Sequence, residues 1–164
     1  MRNLILYALT IAVSVTAVAS IRSADADDAV AIAHVLDQLH DAAAKADGVR
    51  YFNLFAPNAV FLGTDATERW PIDEFRSYAM KRFETGIGWT YHVRERHVYL
   101  DDDANTAWFD EVLRNDKYGE CRGTGVLIKL KGAWKIVQYN LTIPIPNEIA
   151  LDVVEMIRRQ ETRK

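Results

Sequence analysis

Two adjacent carboxylates, Asp110 and Glu111, stand inside the apolar stretch "AWFDEV" at residues 107–112. Successive side chains of a strand point to opposite faces, so each face of the sheet receives one acid and must offer it a partner or water. An acid facing a dry hollow has its proton affinity raised, which suits a general acid or base. Which acid faces such a hollow depends on register.

A tight hairpin at "KG" puts Leu130 opposite Ala133, Leu127 opposite Ile136, Gly125 opposite Gln138 and Gly123 opposite Asn140. An even-length loop at "NDKYG" then places Asp110 on the Gly123 and Gly125 face, and Glu111 on the face of Arg122, Thr124 and Tyr139. An odd-length loop or a bulge exchanges the two acids. The even count is the expectation, with Glu111 paired to Arg122 across the strands. Asp110 then shares its face with Trp108, Trp134, Gln138 and Asn140, and the two glycines leave volume for a ligand.

The loop "GTDATERW" adds Asp65, Glu68 and Trp70 as candidate lining groups, although Asp65 and Glu68 are also spaced as a capping box. Histidines give no metal-ligand spacing: His34 and His40 diverge on a helix, while His92 and His97 face opposite ways on a strand. No phosphate-binding, dinucleotide or nucleophile-elbow motif occurs, so no metal and no cofactor are expected. Cys121 is the one cysteine, which excludes an internal disulfide.

The elements that must position these groups are legible from periodicity. Ala29, Ile32, Ala33, Leu36, Leu39, Ala43 and Ala46 recur at helical steps over residues 27–46. A short helix "VRYFNLF", a strand "AVFLG" and a helix from Pro71 to about Glu84 follow. Four strands are expected over 89–100, 105–115, 119–130 and 133–143, then a helix from Glu148 to Arg159. Helices followed by a meander of long strands argue an α+β fold.

The chain has 164 residues, 26% of them charged, and a net charge of -3, with no basic stripe for nucleic acid. Arg2, the apolar run from Leu4 to Ala19 and the small residues after it predict a signal peptide over 1–24, cleaved within 19–26. That predicts a periplasmic or secreted protein with no membrane segment in its mature form. The domain is expected over 27–148 and a C-terminal helix or tail over 149–164.

The segments "VFLGTDATERW", "GWTY", "AWFDEVL", "YGECRGTGVLIK" and "WKIVQYNLTIPIPNE", in this order after two helices, resemble the SnoaL-like proteins of the nuclear transport factor 2 superfamily. The resemblance implies a cone: a strongly curved antiparallel or mixed sheet wrapped around N-terminal helices and enclosing a pocket. It also implies a homodimer through the outer face of the sheet, where Glu111, Arg122 and Tyr139 would sit. The family includes isomerases, cyclases, dehydratases and non-catalytic association domains, so fold does not settle activity. Binding of a small, partly apolar molecule is the expectation. The alternatives are cofactor-independent proton transfer by Asp110 and a protein-association module.

Overall fold

The computed structural model describes residues 26–162. The signal-peptide expectation for residues 1–24 falls outside them. Helix α1 spans 26–44 and presents Ile32, Leu36, Leu39, Ala42 and Ala43 to the core, as its three- and four-residue spacing requires. Helix α2 (Gly48–Asn53) starts at Asp47, whose carboxylate accepts the Arg50 N–H at 3.1 Å. Strand β1 (Phe55–Leu62) begins four residues before "AVFLG", and β2 (Arg69–Pro71) is a short return strand that its sequence does not announce. Helix α3 (Ile72–Phe83) follows Pro71 with Asp73 and Glu74 in its first turn, where the helix dipole favours acids.

The remaining strands are β3 (His92–Leu100), β4 (Thr106–Asn115), β5 (Gly119–Leu130) and β6 (Ala133–Thr142). A 3-10 turn (Asn147–Ile149) leads into α4 (Ala150–Glu161). The six strands form one curved, open sheet in the order β2-β1-β6-β5-β4-β3. All neighbours are antiparallel except β1 and β6, which run parallel. Their pairing is interrupted between Phe55 and Val60, where Pro57 has no N–H to give to the ladder. The expected α+β architecture of helices against one face of a curved sheet is the one observed.

Two backbone features correct the expected register. Asn115 pairs with Gly119, leaving the three-residue loop Asp116, Lys117 and Tyr118, with Gly119 at φ +75°. Three-residue hairpin loops with a left-handed glycine are a common class, and their odd count reverses the faces of β4. Glu111 therefore lies opposite Gly123, and Asp110 opposite Thr124. The second feature is a bulge at Val137: Leu127 pairs with Ile136, but Val126 pairs with Gln138. Tyr139 and Leu141 consequently turn inward opposite Gly125 and Gly123, while Gln138 and Asn140 turn outward. The hairpin at Lys131 and Gly132 is the expected tight one, with both residues at positive φ.

Candidate functional site

Glu111 is the group on which the interior is organised. Its residue is 1% exposed, beneath α1 on the concave face of the sheet. One carboxylate oxygen, Oε1, is bonded to His40 Nε2 at 2.8 Å and accepts the Tyr139 hydroxyl at 2.9 Å. The other, Oε2, accepts Arg96 Nε at 2.9 Å. Arg96 stands opposite Glu111 on β3 and continues to α1, donating to Asp37 at 2.7 Å and to the Ala33 carbonyl at 3.1 Å. Burial alone would push the Glu111 carboxyl up, but His40 and Arg96 outweigh it and hold the group below its ordinary value of 4.5. Burial, and then the neighbouring Glu111 charge, push the Tyr139 phenol well above its ordinary range, so it stays protonated as a donor.

An ionised carboxylate only accepts, so His40 Nε2 carries a proton toward it. Nδ1 is the ring nitrogen that Glu111 does not engage. His40 and Tyr139 also line a cavity of about 350 Å³, which opens between α1, α3, the β1–β2 loop and the β4–β5 turn. Its walls are aromatic. Phe61 lies between Phe75 and Tyr139, stacked at 4.0 and 5.7 Å with planes within 8°. Phase of these rings continues outward through Phe75 and Trp89, inclined by 18°, and through Trp70 and Tyr78, inclined by 22°. Tyr91 sits 6.5 Å from His40, and burial raises its hydroxyl to about 12.

The cavity gathers a different set of residues from the one expected. Glu68 and Trp70 line it. Asp65 is exposed in the β1–β2 loop, its carboxylate accepting the Thr67 N–H at 2.8 Å and hydroxyl at 2.6 Å. Asp110, with Arg122, Gln138 and Asn140, is on the outer face, because the odd loop and the bulge each shift the pleat by one residue. Trp108 is also outside, stacked on Tyr99 at 5.8 Å. Trp134 is inside but away from the cavity, donating Nε1–H to Asp28 at 2.9 Å. Gly123 holds no ligand space: a Cβ there would stand 2.5 Å from the Tyr139 hydroxyl and 2.8 Å from Glu111 Oε1. The expected Glu111–Arg122 pair is replaced by Glu111–Arg96, and the Glu111, Tyr139 network belongs to the inside of the cone.

His40 and Arg96 carry no motif: sequence reasoning considered His40 only as a metal ligand, and Arg96 not at all. The available signal for His40 was its position four after Leu36 and three before Ala43, at the border of the buried face of α1.

The family model for the SnoaL-like domain matches residues 32–146. No curated protein matches the chain. Among solved structures, a domain of unknown function with a cystatin-like fold from Nostoc punctiforme superposes with a TM-score of 0.63 at 18% identity, over 84% of this chain and 93% of that one. A candidate scytalone dehydratase from Novosphingobium aromaticivorans gives 0.63 at 13% identity, over 76% and 89%. A nuclear transport factor 2-like protein of unknown function from Pseudomonas putida gives 0.60 at 12%, over 71% and 87%. Identities this low carry the fold and leave the chemistry open. The family match over most of the chain, together with this fold, makes the protein a member of the SnoaL-like domain family.

Proposed function

We propose that the protein binds a small, partly apolar molecule in the cavity beneath α1. The observation that supports this reading is a cavity of about 350 Å³ with aromatic walls, two of whose polar groups, His40 and the Tyr139 hydroxyl, converge on the buried Glu111. A hollow of this size is at the small end for ligand sites, and few, well-held polar groups in apolar walls are what orient a ligand. Trp70 and Trp89 line it, whereas Trp108 and Trp134 do not, so indole fluorescence reports occupancy. Titration with one- and two-ring aromatic compounds should quench that emission saturably, and Trp89→Phe should remove most of the change. Saturable quenching that survives Trp70→Phe/Trp89→Phe would show that binding is elsewhere.

A second reading is proton-transfer catalysis on the bound molecule, such as isomerisation, cyclisation or dehydration. It is favoured by the 2.8 Å contact through which Glu111 orients His40. The acid/base group is then His40 rather than Asp110, which faces away from the cavity. In the same titration His40→Gln should keep the quench; a turnover that persists in this variant would dismiss His40 as the catalytic group.

A further inference from the structure

The cavity is asymmetric in charge. Its deep end is neutralised, because the Glu111 carboxylate is sealed behind His40 and Tyr139 and compensated by Arg96. Its lining includes two cations, Arg82 from α3 and Lys117 from the β4–β5 turn, both exposed toward solvent. Arg82 lies over the Trp89 ring at 5.4 Å, with Nη2 donating to the Gly88 carbonyl at 3.2 Å. Those contacts hold the guanidinium in place, and a guanidinium has five N–H donors to distribute. Lys117 Nζ donates to the Tyr118 hydroxyl at 3.1 Å and lies 4.7 Å above that ring. The turn beneath it is fixed by Asn115, whose Oδ1 accepts the N–H groups of Lys117 and Tyr118 and whose Nδ2 donates to Thr90. Neither cation has a carboxylate within ion-pair distance among the described residues.

One carboxylate, Glu68, lines the cavity among the described residues. It is folded back on its own loop: Oε2 accepts the Asp65 N–H at 3.3 Å and covers Gly63, where a Cβ would meet that oxygen at 2.1 Å. The mouth therefore offers two positioned cations against one acid engaged by its own backbone, and near-parallel rings, Phe61, Phe75, Tyr139 and Trp89, form part of the wall. Stacked rings extend favourably to another flat ring, and fixed cations at the rim select an anion.

Resting on the reading of this cavity as a ligand site, we propose that its ligand is a flat aromatic carboxylate. The ring lies along the aromatic wall toward His40, and the carboxylate is held at the mouth by Arg82 and Lys117. The test uses pairs of matched shape, one member charged and the other neutral: naphthalene-2-carboxylate against naphthalene-2-carboxamide, and benzoate against benzamide. Binding is read by indole quenching and by the shift in Tm. The wild-type protein should favour the acid of at least one pair by about ten-fold, less so at high salt, as charge-assisted contacts at a rim require. Arg82→Gln/Lys117→Gln should bring acid and amide to parity by weakening the acid far more than the amide, whereas Lys81→Gln, a control on the same helix outside the cavity, should keep the preference. Equal binding of acid and amide to the wild type would overturn the aromatic-acid assignment while leaving the cavity a ligand site. So would a preference that survives the double substitution. Failure of both pairs to bind would overturn the ligand-site reading and this proposal with it.

Discussion

Glu111 shows how a buried charge is made tolerable and what that implies for its loss. Three donors from three elements, His40 on α1, Arg96 on β3 and Tyr139 on β6, satisfy the two oxygens of one carboxylate. Replacing it with alanine removes the acceptor shared by His40 Nε2 and the Tyr139 hydroxyl and the carboxylate beside Arg96 Nε, and breaking such a buried pair costs about 3–5 kcal/mol. Glu111→Ala should therefore lower the denaturant midpoint strongly, and Glu111→Gln by less because the amide oxygen still accepts. The same group sets an acid limit. Its carboxyl is held below 4.5 in the folded protein, so the unfolded chain binds more protons in that range. The stability it contributes is complete above 4.5 and is lost as pH falls through the depressed folded value. Denaturation curves taken at successively lower pH should fall more steeply for the wild type than for Glu111→Gln. Equal slopes would assign the acid sensitivity to other carboxylates.

At the scale of elements, the strands are joined by close approaches that leave no room for side chains. A Cβ at Gly125 would stand 2.2 Å from the Gln138 carbonyl oxygen and 2.7 Å from the Phe109 ring. The backbone partner cannot yield without opening the β5–β6 ladder at the bulge. Gly125→Ala should thus cost at least the roughly 1–3 kcal/mol typical of overpacking. Urea unfolding measures this, and an unchanged midpoint would mean that the bulge relaxes freely. Periodicity located the helices and the four long strands because their apolar spacing repeats over many residues. It missed β2, which has three residues and no period to read, and it began β1 late because Pro57 reads as a breaker.

For the whole molecule, the relevant feature is the outer face of the sheet. Trp108 and Tyr99 stack there at 46% and 44% exposure, beside Asp110 and Arg122 on the same convex surface. Exposed aromatic groups beside charged side chains are what the isologous interface we propose between two copies would bury. Sedimentation should show a dimer that Trp108→Glu converts to monomer, with the folded circular-dichroism spectrum retained. A wild-type monomer at all concentrations would end the dimer reading. Helix α4 is a separate matter: it packs chiefly against the 3-10 turn before it and leaves Leu151 83% exposed. Among the described residues no group covers it.

The order of the helices and the longer strands, the α+β class and the presence of an acid on each face of β4 were determined by the sequence alone. They depend on local spacing, which a single chain displays completely. Which acid faces the helices was decided only by tertiary structure. Side chains in a strand have a period of two, so one extra loop residue at 116–118 exchanged Asp110 for Glu111. One bulged residue at Val137 did the same for Gln138 and Tyr139. His40 and Arg96 lie 71 and 15 residues from Glu111 along the chain. Their meeting is a property of how α1 and β3 lie against β4, and no spacing within either segment encodes it.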